Sequence, residues 1–220
     1  MKYSIRASEF LYRVMIPLFL FSNCAEISGT GKNKTATEEQ INILDTARLA
    51  KYGEKALMFC SQKKFNTDFC FIADMSVHSG KKRFAVWNFK TKNISASGLV
   101  THGCGANGWQ TTDSKTKPVF SNIPESHCSS LGKYKIGERG YSVFGMHVKY
   151  LLYGLDSTNS NAYDRTIVLH SWEIVPDDEL YPEGAPESWG CPAVSNNFMM
   201  KLDTLLSASK KPVLLWMISQ

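Results

Sequence analysis

The chain has 220 residues, 43% hydrophobic and 20% charged, with 12 Phe, 9 Tyr and 5 Trp. That is enough apolar material for one domain with a real core, and it excludes disorder of the whole chain. The net charge of +5 falls to about +3 when residues 1–23 are set aside, and the cations are scattered, so nucleic acid is excluded as a partner class.

Lys2, Arg6 and Arg13 precede a short apolar run, "VMIPLFLF" (Val14 to Phe21). Eight residues are too few to span a bilayer, which takes roughly 20. The pattern is that of a secretory signal over residues 1–23, and it places the protein outside the cytoplasm, in the periplasm or cell envelope. Cys24 follows the apolar run where a lipid-modified cysteine would sit, and so offers a membrane anchor; Asn23 before it is a poor match to the small residue usual there. Residues 24–36 are small and polar and read as a tether.

Thr37 with Gln40 forms a capping-box pattern that opens a helical segment over residues 37–66. Ile41, Leu44, Ala47, Tyr52, Ala56 and Phe59 roughly keep helical spacing, but Gly53 weakens the middle and predicts two shorter helices. The remainder, residues 67–220, is assigned to a catalytic domain. From Phe69 the apolar period changes to two: "FCFIADMSV", "RFAVWNF" and "ISASGLVT" read as three strands of a meander. A Gly-, Ser- and Pro-rich loop covers 103–128, and "GKYKI", "YSVFGMHVKYLLYG" and "RTIVLH" return to strand patterns. Ser195 caps a helix with an apolar face through Phe198, Met199, Leu202 and Leu205, and "PVLLWMI" is a last buried strand. The fold class is therefore mostly β (α+β), with helices at both ends and no βαβ alternation.

Six cysteines stand at 24, 60, 70, 104, 128 and 191. In an exported chain disulfides are allowed, and Cys60 with Cys70 is the most plausible pair. No CxxC spacing occurs, so no metal site is implied.

"PESWGCPAV" contains Cys191 after Gly190, with Ser188 three residues upstream. Glycine permits a tight turn that brings backbone N–H groups near the sulfur, where they could stabilise an oxyanion. On this segment alone an inert buried cysteine is the simpler reading. His170 ends the apolar run "RTIVLH", and a Cys–His pair can perform acyl transfer. His102 in "THGCG" shapes a Gly-rich turn, and Ser129 and Ser130 could bind polar substrate groups. His78 and His127 read as solvent-exposed turn residues, and His147 as a core histidine in a strand.

"RTIVLH", the gap that follows and "ESWGCPAV" resemble the murein L,D-transpeptidases, in a "catalytic domain-like" envelope subgroup. "GLVTHGCG", "CSSLGKYKIGE" and "LYGLDSTNSNAYDR" extend the likeness in the same order. The resemblance implies a β-rich catalytic domain with its cysteine in a cleft, and no cofactor. It implies Cys191 as nucleophile, His170 as base, Ser171 orienting the imidazole through backbone groups, and Gly190 and Cys191 N–H as the oxyanion site. Ser188, Trp189, His102 and Ser130 are the associated substrate-side candidates. The implied partners are peptidoglycan stem peptides. A tetrapeptide is captured as a thioester, D-alanine leaves, and an amine of a second stem forms the cross-link. Many members carry a histidine where this chain has Trp189. That departure leaves L,D-carboxypeptidation open; non-catalytic wall binding and a secreted cysteine peptidase with the same dyad are separate alternative readings.

Overall fold

The computed structural model describes residues 44–219. The signal segment, Cys24, the tether and the Thr37–Gln40 pattern lie outside the described residues. Helix α1 spans Thr46–Lys63. Asp45 caps it by accepting the Ala47 N–H at 2.8 Å, and Lys64 ends it in the left-handed region at φ 60°. It is one helix, not two. Leu49, Gly53, Ala56 and Cys60 form its buried stripe, and Gly53 gives room to the Trp87 indole: a Cβ there would lie 2.2 Å from Trp87 Nε1. The glycine that reads as a break serves packing.

Eight strands follow: β1 Phe69–Asp74, β2 Phe84–Asn88, β3 Asn93–Gly98, β4 Gly132–Tyr141, β5 Val148–Gly154, β6 Val168–Ser171, β7 Ala193–Val194 and β8 Val213–Ile218. Helix α2, Asn196–Ala208, lies between β7 and β8, capped by Ser195 Oγ accepting the Phe198 N–H. One sheet orders them β3-β2-β1-β8-β4-β5-β6-β7. The β1–β8 and β6–β7 pairings are parallel and the rest antiparallel. The β1–β2–β3 meander is as the alternation predicts.

The central strands are covered on both faces. Phe71, Ala73, Leu215 and Met217 point to one core with Phe198, Met199 and Leu202 of α2. The alternate residues Cys70, Ile72 and Leu214 point to a second core with Leu49, Ala56 and Cys60 of α1. Period-two alternation thus decides which helix each side chain meets. Cys60 and Cys70, the expected disulfide, are free thiols buried in that second core. Burial pushes the Cys60 thiol up to about 12.

Two histidines differ from expectation. His78 is buried, its Nδ1 accepting the Gly80 N–H at 3.0 Å. His147 lies outside the core, in the turn before β5 at φ 62°, stacked on Tyr141. The strand it was expected to continue begins one residue later.

Candidate active site

The short parallel pairing of β6 with β7 brings the two segments of interest together. His170 is opposite Ala193 and Ser171 opposite Val194, so Cys191 stands two residues before the start of the ladder. Its side chain reaches the first residue of β6: the Val168 N–H points at Sγ at 3.4 Å. The Thr166 carbonyl is 3.7 Å from the same sulfur. Thr166 occupies the position where glycine normally ends a helical turn. Its φ is 58°, its N–H bonds the Tyr163 carbonyl, and Ile167 N–H bonds that of Ala162. A β-branched residue in this region is strained, and here its carbonyl faces the thiol.

The turn that carries Cys191 is tied down on every side. Gly190 sits at φ 108°, and a Cβ there would lie 2.7 Å from the Cys128 carbonyl oxygen. Its N–H donates to Ser188 Oγ at 3.1 Å, and its carbonyl accepts from Ser129 Oγ at 3.0 Å. The Cys191 carbonyl accepts from Ser188 Oγ at 2.7 Å and Thr101 Oγ1 at 2.9 Å. Ser188 is therefore the brace of the turn. The Gly190 N–H, expected in the oxyanion site, is already engaged by it. The Cys191 N–H makes no hydrogen bond among the described residues and remains available.

His170 is 6% exposed. Its Nδ1 lies 2.8 Å from the Ser171 carbonyl oxygen, which can only accept, so Nδ1 carries the proton and Nε2 its lone pair. Burial holds the imidazole below its ordinary value, opposed by the Ser171 carbonyl and by Glu173. Burial raises the Cys191 thiol, opposed by the Val168 N–H and more distantly by Arg165 and Lys149. The resting pair is thus a neutral thiol and a neutral imidazole. No direct Cys191–His170 hydrogen bond is present; the two groups line the same cleft of about 280 Å³.

The remaining lining of that cleft is Ser188 and four aromatic rings: Trp109, Phe144, Trp172 and Trp189. No charged side chain lines it. Trp189 is 57% exposed, stacked on His127 at 4.9 Å and tilted against Trp109 at 5.6 Å. Trp109 stacks on Trp172 at 5.5 Å, and Phe144 packs against both Trp172 and His170. Trp109, Phe144 and Trp172 are not evident from the sequence, because they come from three distant loops. The one clue, tryptophan in a polar loop, marks Trp109 alone.

Two expected substrate groups lie elsewhere. His102 is fully buried with both ring nitrogens engaged, Nδ1 with Arg83 and Nε2 with Ser114. It cannot touch a substrate; its carbonyl anchors the Ser188 N–H at 2.8 Å. Ser130 is 1% exposed, its Oγ accepting from Arg165. Among the described residues no cluster of three or more His, Cys, Asp or Glu side chains could hold a metal.

No functionally curated protein matches the sequence significantly. Solved structures do. The L,D-transpeptidase from Xylanimonas cellulosilytica is 10% identical, with a TM-score of 0.39 over 73% of this chain and 68% of that one. The helical cell shape determining protein Pgp2 from Campylobacter jejuni is 11% identical, with a TM-score of 0.41 over 69% of this chain and 48% of its own length. An avibactam carbamoyl enzyme, Ldtfm, is 10% identical, with a TM-score of 0.40 over 70% of this chain and 49% of that one. The chain thus spans about half the length of the last two. The L,D-transpeptidase catalytic domain model matches residues 40–215, most of the sequence. The chain belongs to the L,D-transpeptidase catalytic domain family.

Proposed function

We propose that the protein is a peptidoglycan L,D-transpeptidase in which Cys191 forms a thioester with a stem tetrapeptide and passes it to an acceptor amine. The observation that carries this reading is a half-buried thiol sharing one cleft with a histidine whose Nε2 is the basic nitrogen. His170 Nε2 takes the thiol proton as sulfur attacks the carbonyl carbon of the third stem residue. The Cys191 N–H donates to the developing oxyanion. The tetrahedral adduct collapses, the C–N bond breaks, and His170 returns its proton to the departing D-alanine amine. In the second half His170 takes a proton from the acceptor amine as its nitrogen attacks the thioester carbon, and Cys191 leaves as the thiol. The apolar walls limit water, the competitor that would make the reaction a carboxypeptidation.

Incubation of the protein with purified muropeptides, read by mass spectrometry, tests the proposal. A dimer is the expected product. Loss of D-alanine alone would reassign the protein as an L,D-carboxypeptidase. Unchanged masses would support wall binding without turnover, a reading favoured by the bonding of the resting sulfur to Val168 and Thr166 and not to His170. The basic and apolar N-terminal run supports export to the envelope, and the intact mass of the exported protein reveals whether lipid on Cys24 anchors it.

A neutral resting pair has a signature in pH. With the thiol raised above its ordinary value, its thiolate fraction grows about tenfold per pH unit from roughly 7 to 9. Alkylation of Cys191 by iodoacetamide is expected to follow that slope. The other described thiols, all buried, should label far more slowly. A rate already at plateau near neutrality would mean a preformed thiolate–imidazolium pair and would overturn the general-base description.

A further inference from the structure

Arg83, His102 and Glu187 are each fully buried, and they are joined. Arg83 Nη2 lies 2.7 Å from His102 Nδ1. A guanidinium only donates, so Nδ1 accepts and Nε2 must carry the imidazole proton. Nε2–H then donates to Ser114 Oγ at 2.8 Å, which leaves the Ser114 hydroxyl proton to donate to Glu187 Oε1 at 2.8 Å. The direction of every bond is fixed: Arg83 to His102 to Ser114 to Glu187. A neutral imidazole and a hydroxyl thus bridge a buried cation and a buried carboxylate. Polarisation from both ends strengthens each link.

The carboxylate has a particular set of partners. Every hydrogen bond it accepts comes from one turn of the long loop: Ser114 N–H at 2.6 Å, Ser114 Oγ, and Thr111 Oγ1 at 3.1 Å. Its backbone pairs with the same loop, Gln110 N–H to the Glu187 carbonyl and Glu187 N–H to the Thr111 carbonyl. The residue before Gln110 is Trp109, whose indole forms a wall of the cleft. The residue after Glu187 is Ser188, the brace of the Cys191 turn. Glu187 therefore joins the aromatic wall to the nucleophile turn from behind.

We propose that Glu187 is a positioning residue: anchored through Ser114 and His102 to Arg83, it holds the Trp109 loop at a fixed place against the Cys191 turn, and so sets the fit of the donor substrate without touching it. The substrate part of this inference rests on the function proposed above; the clamp itself does not.

The test uses the full chain carrying Glu187→Gln, which keeps the side-chain shape but removes the charge and turns an acceptor into a donor facing the loop. Amide hydrogen exchange at residues 109–114 should rise about tenfold or more. For muropeptide acylation, the concentration giving half-maximal rate should rise about tenfold while the maximal rate changes less than about threefold. Iodoacetamide labelling of Cys191 should stay within about twofold, since the thiol and its neighbours are untouched. Ser114→Ala removes the bridging hydroxyl and should give the same pattern at smaller amplitude, which covers the case in which the glutamine variant does not fold. Unchanged exchange at 109–114 in either variant overturns the clamp. Increased exchange with the half-maximal concentration unmoved, or with Cys191 labelling slowed in proportion, overturns its part in substrate fit. If the unaltered protein acylates no muropeptide, the proposed function fails, and the exchange measurement still decides the clamp.

Discussion

Cys191→Ser is expected to abolish covalent capture of an acylating β-lactam such as a carbapenem, with a fall in rate of about 10⁴-fold or more. The replacement keeps a hydroxyl at nearly the same place, so binding and fold should be preserved. What it loses is acidity. The base proposed for this cleft, His170, is buried and held below its ordinary value, with Nδ1–H committed to the Ser171 carbonyl. General-base transfer works best when donor and acceptor are matched, and an imidazole weakened by burial is adequate for a thiol but far too weak for an alcohol. No third side chain hydrogen-bonds it: the orienting group is the neutral Ser171 carbonyl, and the Glu173 carboxylate offsets only part of the effect of burial. Intact mass after incubation is the measurement. The unaltered protein should gain the mass of the drug at one site, and the serine variant none. Capture that persists in the variant would remove Cys191 from the chemistry, and attention would pass to the four buried thiols, whose labelling the same spectra would report.

What was legible in the sequence was whatever a local period or a short motif encodes. The β1–β2–β3 meander follows from alternation in "FCFIADMSV" and "RFAVWNF", because each alternate side chain meets a different core. Cys191, Ser188 and Gly190 were conspicuous because a turn needs its residues close together. Apart from His147, which a local turn holds one residue short of β5, the misreadings were long-range. Gly53 looks like a helix break, and only the fold shows the Trp87 indole pressed against it. Strand β7 has two residues, too few for any period, yet its register beside β6 is what brings residues 170 and 191 to one cleft. His102 in a glycine-rich turn looks available to a ligand. Its removal from solvent depends on Arg83 and Ser114, which approach from opposite sides in sequence. Arg83 was hidden best: it opens the strand pattern "RFAVWNF" directly after two lysines, and nothing local marks it as the cation that goes inside. The four aromatic walls of the cleft share no motif; Trp109, Phe144, Trp172 and Trp189 come from separate segments that meet only in the folded chain.

Arg83→Met is expected to be among the most destabilising single changes in the domain, at about 3–5 kcal/mol. Methionine fills much of the same volume, so the loss is not one of packing. The guanidinium donates to the Val100 carbonyl through Nε and Nη2, to the Val77 carbonyl through Nη1, and to His102. Removing it strands two buried carbonyls and leaves Glu187 as a buried carboxylate with no cation at the far end of its chain. Asp74, whose charge also favours the Arg83 cation, keeps Arg48 as a partner at 2.7 Å. For a domain of this size the melting temperature should fall by roughly 6–20 °C, with the denaturant midpoint falling and the m-value unchanged. The double variant R83M/E187Q separates an ion-pair chain from two unrelated buried groups. If Arg83 and Glu187 act through His102 and Ser114, neutralising both ends should cost less than the sum of the single changes, by about 1 kcal/mol or more. Strict additivity would mean that the imidazole and hydroxyl between them carry no coupling, and that the two charges are buried for separate reasons.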